Sequence, residues 1–244
     1  MTQSKVECFG LSDVGRVRSN NEDVFCTLPE LQFYVLADGM GGHNAGEIAA
    51  SRAVEMMCCC IAEAGTLSSV EQSCNLLRSA ITAANSSVNT LSHQNKEFKG
   101  MGTTLSCFLI QKDVLIYAHV GDSRIYRYRK QLKRLTEDHS LRHAMLTNEE
   151  DPAGSLPALL YRNVITRAIG TYPYILPDVG VIPIQSEDLY MICSDGLTDA
   201  VCDEEIQTIM NSSGNLECIG KELIASALKK GGSDNITALL VKIH

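Results

Sequence analysis

No apolar run in the sequence approaches the roughly 18 to 20 residues that a membrane span requires. Met1 to Gly10 carries Lys5 and Glu7 and lacks the apolar core of a signal peptide. The expectation is a cytoplasmic protein with no membrane partner. Positive charge is also short: 21 Lys and Arg face 29 Asp and Glu, a net charge of −8 over 244 residues. That argues against nucleic acid as the main partner, which would need a basic face. No Cys-x-x-Cys pair occurs among the ten cysteines, so a zinc site has no support. Cys58, Cys59 and Cys60 are consecutive in a helical stretch, where neighbouring side chains splay about 100° apart and cannot build a disulfide framework. Cys107 and Cys193 sit in apolar runs, and the cysteines read as reduced core thiols.

Several catalytic loops are missing too. No Cys is followed six positions on by Arg, no two aspartates are spaced Asp-x-Asp, and neither Gly-x-x-x-x-Gly-Lys-[Ser/Thr] nor His-Arg-Asp occurs. Thiolate, aspartyl-phosphate and nucleotide-driven phosphoryl transfer therefore lack their machinery. An EF-hand loop is absent as well.

With 45% hydrophobic and 20% charged residues, the chain has enough apolar material for a sizeable core. No linker, repeat or charge block divides it. Strands are expected at 5–13, 31–37, 103–111, 114–120, 123–129, 187–193 and 236–243, with a tight turn at Gln111-Lys112-Asp113. Helices are expected at 45–64, from a Ser68/Glu71 capping box to about 92, at 203–212 capped by Asp203, and at 216–229. Residues 139–163 read as an irregular excursion with some helix. Strands in groups and helices in pairs predict a layered α+β domain, not a parallel sheet.

Four aspartates stand beside glycine at the edges of these strands. Asp38 precedes Gly39, Asp122 follows Gly121, Asp195 precedes Gly196, and Asp234 follows Gly231-Gly232-Ser233. One such aspartate is ordinarily a turn residue. Four unpaired carboxylates are costly to bury together unless cations bind among them. All-oxygen ligation selects Mg2+ or Mn2+, and two such ions about 3.5–4 Å apart would activate a bridging water for in-line attack at phosphorus. Arg16 and Arg18 supply cations of the kind that grips phosphate, although taken alone they read better as surface charges of a solvated loop.

The chain resembles the metal-dependent protein serine/threonine phosphatases of type 2C, in their compact bacterial branch. The matching stretches run from Ser12-Asp13-Val14-Gly15 through Arg18, Asn21, Glu22 and Asp23 to Ala37-Asp38-Gly39-Met40-Gly41-Gly42. They continue with Gly102-Thr103-Thr104, Val120-Gly121-Asp122-Ser123-Arg124, Thr136-Glu137-Asp138-His139-Ser140 and Thr166-Arg167-Ala168-Ile169-Gly170. The last are Cys193-Ser194-Asp195-Gly196-Leu197-Thr198-Asp199 and Gly232-Ser233-Asp234-Asn235-Ile236-Thr237. Their order covers nearly the whole chain.

The resemblance implies an α-β-β-α sandwich: two antiparallel sheets flanked by helix pairs, with 1–244 one catalytic domain and a flap at about 140–165. It implies that Asp38 and the Gly39 carbonyl bridge two core Mg2+ or Mn2+ ions, with Asp195 and Asp234 completing the first ion's ligands. Asp122 and Asp195 match positions that hold a third ion. Glu22 and Asp23 would act near the second ion through water, Arg18 on substrate phosphate, and Asn235 in orienting a ligand or water. Met40 stands where many eukaryotic members have a general-acid His; His43 is the candidate substitute, its alternative being a surface residue where the helix begins. Leu160-Tyr161 precede Arg162-Asn163 where bacterial relatives often have His-Pro. The implied substrates are phosphoserine and phosphothreonine proteins of a cognate kinase, the implied state a monomer, and the implied route direct hydrolysis without a phosphoenzyme. The alternative is a non-catalytic phosphoprotein-binding regulator of the same fold. A regulatory phosphatase acting on anti-sigma-antagonist proteins would ordinarily carry sensor or coiled-coil segments, which are absent.

Overall fold

The computed structural model describes residues 6–41, 45–65, 67–141, 143–144, 164–212 and 214–244. Among the described residues, eleven strands form two sheets. One joins β1 (Val6–Asp13), β11 (Ile236–Ile243), β10 (Leu189–Cys193), β7 (Arg124–Arg129) and β8 (Gln131–Arg134), in that order. The other joins β2 (Asp23–Leu28), β3 (Phe33–Met40), β5 (Leu105–Gln111), β6 (Val114–Val120) and β9 (Asp178–Pro183), with β4 (Gly102–Thr103) paired to the end of β3. Every pairing is antiparallel. Helices α1 (Ala45–Glu63) and α2 (Val70–Gln94) cover the second sheet. The single turn α3 (Asp195–Thr198), α4 (Asp203–Met210) and α5 (Leu216–Lys229) lie on the first. The α+β, four-layer α-β-β-α sandwich is as expected.

The two-residue side-chain period of a strand produces these layers. Phe33, Val35 and Ala37 face α1 and α2, while Tyr34 and Leu36 face the opposite sheet. Leu189, Met191 and Cys193 pack under α4 and α5, while Tyr190 and Ile192 point between the sheets. Both faces of the central strands are buried, which is why they read as continuous apolar runs.

Three strands were not anticipated: β2, β8 and β9. Each is a sheet edge with much of its length accessible. An edge strand needs only one ladder and tolerates polar residues, Gly180 and Pro183, so its alternation is blurred. The strand expected at 31–37 runs on to Met40, because Gly39 and Met40 pair with Thr103 and Gly102. Asp38 is thus inside a strand and not at its end. Two caps also differ. Ser69, not Ser68, caps α2 by accepting the Gln72 amide at 3.2 Å, while Ser68 donates its amide and hydroxyl to Gln72 Oε1. Asp203 is the first residue of α4, preceded by Cys202, and adds negative charge to the helix's first turn.

All ten cysteines are unbridged, but only Cys107 and Cys193 are buried; Cys59, Cys202 and Cys218 are exposed. Of the excursion at 139–163, residue 142 and residues 145–163 lie outside the described residues. No helix among the described residues is long and apolar enough to cross a bilayer.

Ile192 is fully buried between the sheets. Ile192→Ala should cost about 2–5 kcal/mol in chemical denaturation, as expected for deleting a core aliphatic side chain. A loss under 1 kcal/mol would mean that the inter-sheet core is loosely packed.

Candidate metal centre and active site

Antiparallel pairing brings the carboxylates to one end of the sandwich. Asp13 pairs with Ile236, Cys193 with Ala238, and Asp23 with Asp38. The C-terminal ends of β1, β3 and β10 therefore meet the N-terminal ends of β2 and β11. Gly121-Asp122-Ser123 crosses from β6 in one sheet to β7 in the other at the same end. By strand alternation Asp38 continues the inward row of Tyr34 and Leu36, at the rim of the inter-sheet core.

The electrostatics follow from that convergence. Burial holds the Asp38 carboxyl well above the usual range, and repulsion from Asp23, Asp195, Asp122 and Asp234 adds to the effect. Asp195 is likewise raised well above it, by burial and then by Asp122, Asp234, Asp199 and Asp23. Asp122 is raised to about 6 by burial and Asp138. Asp23 reaches about 6 through burial, although two hydroxyls oppose the shift. Those hydroxyls, on Ser194 and Thr237, donate to Asp23 Oδ2 at 2.8 and 2.6 Å. Asp23 Oδ1 is buried with no hydrogen-bond partner among the described residues.

Backbone and hydroxyl contacts fix these positions. Asp38 donates its amide to Thr104 Oγ1 at 2.9 Å, and its carbonyl accepts from the Thr104 amide and the Thr103 hydroxyl, each at 2.8 Å. Thr104 Oγ1 lies 2.7 Å from Ser123 Oγ, linking β3 to the residue after Asp122. Gly39 admits no side chain: a Cβ there would sit 2.2 Å from the Gly46 carbonyl oxygen, so the first turn of α1 presses on the strand. A Cβ on Gly46 would in turn meet Glu22 Oε2 at 2.2 Å, which places the Glu22 carboxylate beside that turn.

Arg18 lies at the rim, its Nη2 2.8 Å from Asp234 Oδ2. Asn235 acts as a buckle. Its Nδ2 donates to the carbonyls of Val14 and Asn20, and its Oδ1 accepts the Glu22 amide at 2.8 Å. Its side chain thus fastens the 14–22 loop, which carries Arg18, to the start of β11. Arg16 is directed elsewhere: its Nε donates to the Leu228 carbonyl at the end of α5. His43 lies outside the described residues. Asp38, Gly39, Asp122, Asp195, Asp234, Glu22, Asp23, Arg18 and Asn235 all belong to this one end. The holding hydroxyls of Ser194, Thr237, Thr104 and Ser123 were not singled out from sequence, although all but Thr104 directly adjoin or lie within three residues of a noted aspartate.

The donor chemistry fits a divalent ion. Among the described residues no three acidic, His or Cys side chains already converge into a closed cage. An ion that keeps part of its water shell needs no such cage, and Mg2+ and Mn2+ behave in that way. All-oxygen donors, a buried unpartnered carboxylate oxygen on Asp23 and carboxylates destabilised by one another are what such an ion would satisfy.

A carboxylate-lined sandwich rim with an arginine beside it suits metal-assisted hydrolysis of a phosphate ester, and comparison with known proteins identifies the class. The family model described as protein phosphatase 2C matches residues 16–240, and the chain belongs to that family. The "Serine/threonine phosphatase stp" of Listeria welshimeri is 36% identical over 235 residues, covering 95% of this chain and 93% of its own. Among solved structures, the Streptococcus agalactiae serine/threonine phosphatase superposes with a TM-score of 0.89 at 34% identity, covering 98% of this chain and 100% of its own. The catalytic domain of the serine/threonine protein phosphatase PstP, in complex with two manganese ions, superposes with a TM-score of 0.87 at 29% identity, covering 99% of both chains. The chain is accordingly a metal-dependent serine/threonine protein phosphatase. The non-catalytic alternative is disfavoured, since the relatives it matches along nearly their whole length are serine/threonine phosphatases.

The repulsion has a measurable pH signature. Raised to about 6, Asp23 and Asp122 bind protons more tightly in the native state than in the unfolded chain, where aspartate titrates near ~3.9. Their contribution to stability is full below that lower value and is lost as pH rises through about 6. Buried His119, lowered to about 3, and His139, also lowered by burial, act oppositely: they add stability above ~6.5 that is lost as pH falls. The melting-temperature difference between Mn2+ and EDTA isolates the carboxylates, and it should widen between about pH 5 and about pH 7.5. In EDTA near neutral pH, Asp38→Asn should melt above the wild type. A pH-independent difference together with a destabilised Asp38→Asn would contradict this electrostatic account.

Proposed function

We propose that Asp38, with the Gly39 carbonyl, would hold both core ions, and that Asp195 and Asp234 would complete the ligands of the first. Asp122 with Asp195 holds a third, weaker ion, and Glu22 and Asp23 act near the second ion through water. The observation that carries this reading is that Asp38 and Asp195 are both buried and both repelled by Asp23, Asp122 and Asp234. When bound, the ions supply an activated water for direct attack at phosphorus, without a phosphoenzyme.

The remaining steps belong to the chain's own residues. Arg18 receives the phosphoryl oxygens, an arginine fork suiting a tetrahedral anion better than a point charge does. Its partner Asp234 and the Asn235 buckle hold its loop at the rim. His43 protonates the leaving serine or threonine oxygen, since Met40 has no proton to give. The whole of 1–244 acts as one catalytic domain, and the segment at about 140–165 shapes substrate access.

The substrates proposed are phosphoproteins made by a cognate serine/threonine kinase, in cytoplasmic signalling, with the enzyme acting as a monomer. The net charge of −8 supports the absence of nucleic-acid and anionic-membrane partners.

The test is hydrolysis of a phosphothreonine peptide and of p-nitrophenyl phosphate in EDTA, Mg2+ or Mn2+. Turnover should require metal, and Asp38→Ala, Asp195→Ala or Asp234→Ala should each lower kcat by about 10²-fold or more, as expected when a principal charge-stabilising group is lost. Arg18→Ala should raise KM about tenfold, the loss of a charge-assisted hydrogen bond. Full activity of Asp38→Ala would exclude the two-ion assignment.

A further inference from the structure

One residue of the Thr136-Glu137-Asp138-His139-Ser140 stretch is bonded to both sides of the turn that carries Asp122. His139 is only 3% exposed. Its amide donates to the Gly121 carbonyl at 2.7 Å, and its ring Nδ1 faces the Gly121 amide at 3.1 Å. Both backbone polar groups of Gly121 are thus bonded to a single residue. Gly121 has φ +112, and a Cβ there would meet Thr104 Cβ at 2.6 Å, so the position takes only glycine and the turn has no side chain of its own there to hold it. The neighbouring Asp138 grips Arg124 with a fork at 3.1 and 2.9 Å, which secures the far side of the same turn.

The donors fix the tautomer. A backbone amide can only donate, so His139 Nδ1 carries a lone pair. The ring proton is then on Nε2, which lies 3.0 Å from Asp178 Oδ2. Asp178 is in turn held by Arg167, whose Nη1 is 3.0 Å from its other oxygen. The chain of contacts runs from Arg167 through Asp178 and His139 to Gly121, one residue before Asp122.

Resting on the reading above in which Asp122 serves the metal centre, we propose that His139 is a positioning residue for Asp122. Its neutral ring, set in the Nε2–H tautomer by Asp178, holds the Gly121-Asp122 turn through the Gly121 amide. The need for a holder is physical. Asp122 is repelled by Asp138 and Asp199, and its own charge repels Asp195 and Asp38, so an untethered turn would relax by carrying the carboxylate away from the cluster. Outer partners that orient metal ligands in this way are commonly worth 10–100-fold in affinity or activity.

Two substitutions separate this role from mere packing. His139→Asn keeps an acceptor near the Nδ1 position, whereas His139→Gln keeps a donor near Nε2 and loses the acceptor. The measurements are hydrogen exchange of the Gly121 amide by NMR, with and without Mn2+, and the Mn2+ concentration for half-maximal hydrolysis of a phosphothreonine peptide. In His139→Gln the Gly121 amide should exchange at least about tenfold faster, and the half-maximal Mn2+ concentration should rise about tenfold, towards the value for Asp122→Ala. His139→Asn should stay within about twofold of the wild type in both. If His139→Gln does not fold, Asp178→Asn at a half-exposed position carries the test, with a smaller change in the same direction. Equal behaviour of His139→Asn and His139→Gln would overturn the proposal, as would an unchanged Mn2+ requirement when Asp122→Ala shifts it. If Asp122→Ala itself leaves the Mn2+ requirement unchanged, the assignment of Asp122 fails first and the role of His139 falls with it.

Discussion

Repulsion among carboxylates at one end of the inter-sheet core is the constraint on which the rest depends. Burial and then four other aspartates raise Asp38, and burial and then Asp122, Asp234, Asp199 and Asp23 raise Asp195. Such a cluster works against folding, because each charge loses water and gains like-charged neighbours. The sandwich can carry that cost because three separate apolar layers, one beneath each helix pair and one between the sheets, stabilise the remainder. Divalent ions turn the same cost into affinity, since they relieve the repulsion and desolvation together. Metal dependence is thus a consequence of how the fold ends.

The scaffold restrains the cluster with neutral donors. Ser194 and Thr237 hold Asp23, Thr104 and Thr103 hold the Asp38 backbone, and Ser123 ties Thr104 to the crossing turn. Hydroxyls and amides orient carboxylates without neutralising them, which leaves their charge for an ion. Arg18, paired with Asp234, sits at the accessible rim with its side chain 54% exposed.

Much of this was legible in the sequence because the chemistry is written in local pairs. An aspartate within two residues of glycine at the edge of an apolar run marked Asp38, Asp122, Asp195 and Asp234, and folding brought all four together. Less legible were features set by distant or weakly patterned residues. The hydroxyls on Asp23 come from 171 and 214 positions away, beyond the reach of any local pattern. Strands β2, β8 and β9 lie at sheet edges, where one-sided pairing relaxes the alternation that reveals central strands. The α2 cap fell one residue late because Ser68 and Ser69 both satisfy the capping pattern, and only the backbone geometry chooses between them. His139 was visible as part of a family motif, yet its grip on Gly121 depends on a turn 18 positions earlier.

The most direct test of the central claim is a crystal of the wild-type enzyme grown with Mn2+ and measured at the manganese absorption edge. The account predicts two strong anomalous peaks sharing the Asp38 carboxyl, with Asp195 and Asp234 against one of them. Peaks located elsewhere, or a fully loaded enzyme with no ion at Asp38, would contradict it.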